Sequence, residues 1–95
     1  MRLYELTVIL TAEMEDHKAS AEEIAEVVRG LGGEVDKIDL SRGRKTLAYP
    51  IKKQLEGFYA LITFKLAPEA IRELDRILSL RASVLRHLAV ATDEE

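Results

Sequence analysis

An α+β fold is predicted: a ferredoxin-like βαββαβ domain whose four-stranded antiparallel sheet has two helices packed on one face. Three observations predict it. Apolar residues alternate with a period of two at Tyr4, Leu6, Val8 and Leu10, and again from Phe58 to Leu66, as in half-buried strands. Two other stretches switch to helical spacing, one through Ala21, Ile24, Val28 and Leu31, the other through Ile71, Leu74, Ile77 and Leu78. The order strand, helix, strand, strand, helix, strand is that of the split βαβ unit.

The first strand ends at Thr11-Ala12. A helix follows from about Glu15 to Leu31, with Ser20 and Glu23 spaced as a capping box and Gly32-Gly33 placed for a left-handed exit. Val35, Ile38 and Leu40 open a second strand that resumes after Gly43 as Leu47-Ala48-Tyr49, and Ser41-Arg42-Gly43 breaks the alternation as a bulge would. Pro50 has no N–H for a ladder, so that end belongs at an edge or a turn. Gly57 is expected to turn the chain into the third strand, Phe58 to Leu66. There Phe58, Ala60, Ile62, Phe64 and Leu66 should face the helices, and Tyr59, Leu61, Thr63 and Lys65 should face away.

Pro68 suits the first turn of the second helix, with Glu69 beside the positive end of its dipole, and Ser79 to Ser83 is the exit. Val84 to Ala91 is the last strand. Periodicity leaves its face open, because Val84, Leu88 and Val90 on one side and Leu85 and Ala89 on the other are all apolar. Residues 1–92 read as a single domain and residues 93–95 as a short acidic C-terminal tail.

Ninety-five residues, 47% of them hydrophobic, suffice for one small core. The lack of cysteine excludes disulfide staples, thiolate metal sites and a cysteine nucleophile. Met1-Arg2-Leu3-Tyr4-Glu5 does not begin a secretion signal, and no apolar run approaches the length of a membrane span, so a soluble, cytoplasmic protein without membrane contact is expected. The net charge is −3, but it is segregated. Residues 13–39 carry nine acids against three Lys/Arg, while residues 40–65 carry six Lys/Arg against Glu56 alone. Association depends on local potential within a screening length of about 8–10 Å, so one basic face on an acidic protein suits an oriented contact with a polyanion.

That basic face centres on Gly43-Arg44-Lys45-Thr46-Leu47-Ala48-Tyr49-Pro50-Ile51-Lys52-Lys53, an extended aromatic segment between two cationic clusters. A solvated hairpin would look much the same. The residues Gly43-Arg44-Lys45, Leu47-Ala48-Tyr49-Pro50-Ile51, Lys53 and Gly57-Phe58 also carry a likeness, as do Met1-Arg2-Leu3-Tyr4-Glu5 and Val84-Leu85-Arg86-His87-Leu88. In order and spacing, over nearly the whole chain, they resemble the bacterial small-subunit ribosomal protein S-six family.

The resemblance implies the same fold and a structural role in the small ribosomal subunit: binding central-domain ribosomal RNA together with small-subunit protein S-eighteen, and aiding assembly. By motif position it implies Arg2, Arg44, Lys45, Tyr49, Lys52, Lys53 and Arg86 as RNA contacts. Geometry adds Tyr59 and Leu61, an aromatic beside a leucine on the uncovered sheet face, as anchors for the protein partner. The chain departs from the family pattern in places. Thr46 stands where a basic residue is common and Arg42 where a tryptophan is, the strand before the motif is one residue longer, and the final strand ends Val90-Ala91 where a basic residue is common. The alternative reading is an engineered or self-associating ferredoxin-like scaffold that binds no RNA.

Other functions have little support. Glu56-Gly57-Phe58-Tyr59 is similar to the third-strand signature of RNA-recognition motifs, but the residue before the glycine is acidic and Phe58, Ile62 and Phe64 are needed in the core. His17, among acids near a helix start, is expected to be solvated. His87 has no acid or nucleophile at a useful sequence spacing. No metal-ligand pattern and no phosphate-cradling glycine loop is present, so no catalytic residue, metal, cofactor or small-molecule substrate is expected. An enzyme like the acylphosphatases, which share this fold, would need an asparagine, and the chain contains none.

Overall fold

The computed structural model describes residues 1–13 and 16–92; the expected acidic tail, residues 93–95, lies outside them. The elements run β1 (Arg2–Thr11), α1 (His17–Gly30), β2 (Glu34–Ile51), β3 (Gln54–Leu66), a 3-10 turn (Pro68–Ala70) leading into α2 (Ile71–Ser79), and β4 (Val84–Ala91). The strands form one sheet in the order β2-β3-β1-β4 with every neighbouring pair antiparallel, and both helices cover the same face. This is the ferredoxin-like arrangement that the periodicities predict.

Alternation in the two central strands builds the core. Tyr4, Leu6, Val8 and Leu10 stand opposite Phe64, Ile62, Ala60 and Phe58, and Ile24, Val28, Leu74 and Leu78 close over them from the helices. The rings of Tyr4 and Phe64 stack at 5.6 Å.

The capping box expected at Ser20 and Glu23 is not made. Helix α1 begins earlier, where the Asp16 carboxylate accepts the Ala19 N–H at 3.0 Å, and Ser20 is buried within the first turn. Two physical reasons favour this start: an aspartate satisfies the third orphan donor as well as a serine does, and its charge faces the positive end of the helix dipole. The exit is as expected. Gly32, at φ 91°, and Gly33 donate to the carbonyls of Arg29 and Val28, both at 3.0 Å, forming a Schellman motif.

Strand β2 is one continuous edge strand rather than two pieces. Two residues are inserted between the pairs Asp39–Leu61 and Gly43–Tyr59, which absorbs Ser41-Arg42-Gly43 as a bulge with Gly43 at φ 64°. The hairpin turn, expected at Gly57, falls instead at Lys52-Lys53 between the paired Ile51 and Gln54. Gly57 lies inside β3 because a Cβ there would come within 2.4 Å of Ile9 Cγ2; it is needed for close approach, not for turning.

Lys52 and Lys53 have φ of 51° and 68°, the left-handed pair of a type I′ turn, which ordinarily selects Asn-Gly. Each lysine is therefore strained by roughly 1 kcal/mol. Lys53→Gly is expected to stabilise the domain by about 1 kcal/mol and raise Tm by about 4–8 °C. A thermal melt showing no rise would contradict this account of the turn.

Strand β4 resolves its ambiguous face with a bulge. Ile9 pairs with Arg86 but Leu10 pairs with Val84, so the intervening Leu85 is extra and both Val84 and Leu85 are buried. Beyond the bulge His87 and Ala89 face the helices, leaving Arg86, Leu88 and Val90 on the open side.

Candidate nucleic-acid interface

The register determines which candidate side chains meet. Tyr59 pairs with Ile9, and Leu61 with Thr7, on the helix-free face, where both are half-buried. Gly57 pairs with Lys45; beyond Thr46 the register shifts, and Leu47 and Tyr49 line one recess with Ile9 and Tyr59 of that face. The outer half of the β2–β3 hairpin curls towards β4. The Lys52 ammonium donates to the Val84 carbonyl at 3.3 Å, and the Arg86 guanidinium donates to the Tyr49 hydroxyl. Ile9, Leu47 and Tyr59 floor the recess that the curl encloses, and Tyr49 and Arg86 form its rim.

Tyr49, Lys52 and Arg86 thus meet at one end of the molecule, with Lys45 further back along β2 and Lys53 lining a second recess with Ala12 and Glu56; all five are exposed. Arg44 belongs to the neighbouring side. Its register partner is Phe58, its guanidinium donates to the Ala12 carbonyl at 3.1 Å, and it lies 3.8 Å from Glu56. Arg2 stands apart at the opposite end of β1, about 23 Å from Arg86's register partner Ile9 at the usual strand rise. At the bulge, hydrogen bonds from the Ser41 hydroxyl and backbone N–H hold the Asp39 carboxyl below its ordinary pKa, so it stays anionic.

The two histidines are structural. His17, expected to be solvated, lies flat on Phe58 with ring centroids 3.9 Å apart, and its Nε2 is 3.0 Å from the Thr11 carbonyl oxygen. Stacked on Phe58, the ring is half-buried rather than left in water. His87 approaches Asp75 at 3.4 Å, an acid supplied by α2 rather than by sequence neighbours.

Sequence reasoning did not single out Leu47, the most buried side chain of β2, nor Leu88 and Val90 on the open face. The two-residue spacing Lys45, Leu47, Tyr49, Ile51 signals the first. Nothing in the sequence places the β4 bulge that exposes the others. Among the described residues no cluster of His, Asp or Glu could hold a metal ion, and no helix is long and apolar enough to cross a membrane.

Comparison with known proteins agrees with this architecture. A crystal structure of 30S ribosomal protein S6 from Thermotoga maritima superposes with a TM-score of 0.85, covering 96% of this chain and 87% of that one at 23% identity, a likeness of fold. The small ribosomal subunit protein bS6 of Mycobacterium leprae is 46% identical over 99% of both chains. Its counterpart from Pseudarthrobacter chlorophenolicus is 40% identical over 100% of this chain and 95% of its own. These relatives are structural proteins of the ribosome, not enzymes. With the ribosomal protein S6 profile matching residues 3–91, this chain belongs to the ribosomal protein S6 family.

Proposed function

We propose that this chain binds ribosomal RNA in the central domain of the small subunit, together with small-subunit protein S-eighteen, and acts there as an assembly component, in the cytoplasm on the ribosome. The observation that carries this reading is the meeting of Arg86 with Tyr49 and of Lys52 with β4, at a hairpin that also carries the exposed Lys45 and Lys53, in a protein whose net charge is −3. An acidic body with one cationic end approaches a polyanion in a single orientation. Arg44 would extend the contact along the outer side of the hairpin, and Arg2 would make a separate one. Tyr59 and Leu61, half-buried on the helix-free face beside this end, would anchor the protein partner.

The test is binding of a central-domain ribosomal RNA fragment, with and without S-eighteen, across a salt series. Tight binding that requires the partner is expected, with log K falling linearly in log salt by roughly 0.7–0.9 per phosphate neutralised. A well-folded chain that fails to bind at low salt with the partner present would refute the reading.

A further inference from the structure

We infer that Tyr49 is a stacking platform for one unpaired RNA nucleotide, held in position by Arg86 and flanked by cations that take the adjoining phosphates. The inference rests on the RNA-binding reading above and specifies what the site recognises.

Tyr49 is 57% exposed, an unusual state for a tyrosine in a protein with few aromatic residues. It is also held in place. The Arg86 guanidinium donates to its hydroxyl while the guanidinium carbon lies 6.0 Å from the ring centroid, the outer limit of a cation–π contact. The guanidinium therefore grips the rim of the ring and leaves its face open. A flat, apolar surface whose rotamer is already fixed binds a second flat group with little further loss of entropy. Leu47, buried two residues earlier in the same strand, lines the same recess as the ring.

The charges around the ring select the occupant. Arg86 holds the ring's hydroxyl and Lys52, in the turn that follows, is tied to the Val84 carbonyl; Lys45 lies further back along the strand, and all three are exposed. The phosphates adjoining a base laid on the ring would meet Arg86 and Lys52, which the contacts with Tyr49 and Val84 hold at this end of the hairpin. Only an unpaired nucleotide can do this, because a paired base is stacked inside its helix and shows the protein only an edge. The stack differs from that of an RNA-recognition motif, since the third-strand residues Phe58, Ile62 and Phe64 face the helices.

Two RNA hairpins of matched sequence test the inference, one fully paired and one with a single 2-aminopurine bulge, each titrated with the chain at low salt and again with S-eighteen present. The parent chain is expected to favour the bulged hairpin by at least about fivefold, the low end for stacking one base on an aromatic ring, and to quench its fluorescence. Tyr49→Leu should abolish both the preference and the quench. Tyr49→Phe should keep most of the preference, and Lys45→Ala should weaken both RNAs equally. A Tyr49→Leu chain with the parent's preference and quench overturns the inference. So does a Tyr49→Leu chain that loses S-eighteen binding while its bulge preference is intact, which would make the ring a protein contact. Binding of neither hairpin under either condition overturns the RNA-binding reading itself, whereas equal binding of both by the parent chain overturns only the stacking.

Discussion

Removing Lys45, Lys53 and Arg86 together by alanine substitution is expected to lower affinity for the central-domain RNA fragment about 100- to 500-fold at 0.1 M monovalent salt. The estimate follows from counterion release. Each cation seated on a phosphate contributes roughly 0.7–0.9 to the slope of log K against log salt, and the same 0.7–0.9 log units at 0.1 M relative to 1 M. Three such contacts give about 2–3 log units and flatten the slope by the same amount. Stability should barely change, because all three side chains are exposed and none is buried in the core. Lys52 is left out of the set because its ammonium also ties the turn to the Val84 carbonyl. Arg86 is kept although it also holds the Tyr49 hydroxyl, so its removal adds the loss of that contact to the loss of charge, and the figure above counts the charge alone. Removing three cations from the helix side instead, Lys18, Arg29 and Arg72, provides the control. These act only through long-range potential, which 0.1 M salt screens beyond about 10 Å, so a loss of no more than a few-fold is expected. Equal losses from the two triple variants would mean that net charge, and not this end of the sheet, governs binding.

The site was only partly legible in the sequence. The charge segregation of residues 40–65 and the alternation through Leu47 and Tyr49 are local features, and they point to the hairpin directly. Arg86 was legible only through family resemblance. Its meeting with Tyr49 depends on how far the hairpin curls towards β4, a property of sheet twist and bulges that no local pattern encodes. The division of the basic residues between faces was also hidden. One extra residue between Val35 and Lys37 shifts the phase of β2, so that Ile38 and later Arg44 pair on the helix side and Asp39 and Lys45 on the open side; the two residues inserted around Ser41-Arg42-Gly43 leave that phase unchanged. A single extra residue exchanges the faces of all that follow, so alternation read from Val35 cannot assign the faces beyond it.

The fold was far more legible, because its central strands and both helices carry unbroken periodicities. The misreadings fell where two local motifs competed. Ser20 and Glu23 have capping-box spacing, yet Asp16 caps the helix, since an earlier start is compatible with the same apolar stripe and a charged cap interacts better with the dipole. Gly57 looked like a turn because glycine usually marks one, whereas the actual turn is formed by two lysines in a conformation they disfavour. Strain concentrated in the two residues that offer charge at the tip is consistent with a turn selected for contact and not for stability. Lys53→Gly, stabilising by the account above, should correspondingly weaken RNA binding.

Three glycines near the end of α1 should respond to alanine in three different ways, and Gly33 most severely. Gly33→Ala is expected to destabilise the domain by about 2–3 kcal/mol and lower Tm by about 10–20 °C. Its backbone lies against the end of β3, so a Cβ would stand 2.6 Å from the Lys65 carbonyl oxygen, 2.8 Å from Val28 Cγ1 and 2.9 Å from Leu66 Cδ1. None of these can yield cheaply. The carbonyl belongs to a strand paired on both sides, and Val28 and Leu66 are fully buried. Gly32 meets nothing within 4 Å, but its φ of 91° disfavours a side chain, so Gly32→Ala should cost about 1 kcal/mol. Gly30 is helical with nothing within 4 Å, and Gly30→Ala should stabilise by about 0.5–1 kcal/mol through lower backbone entropy in the unfolded chain. Urea unfolding of the three variants gives the order directly. Were φ alone decisive, Gly32→Ala would be the worst. If close approach to β3 decides, it is Gly33→Ala, and the Schellman exit of α1 is then as much a packing joint as a turn.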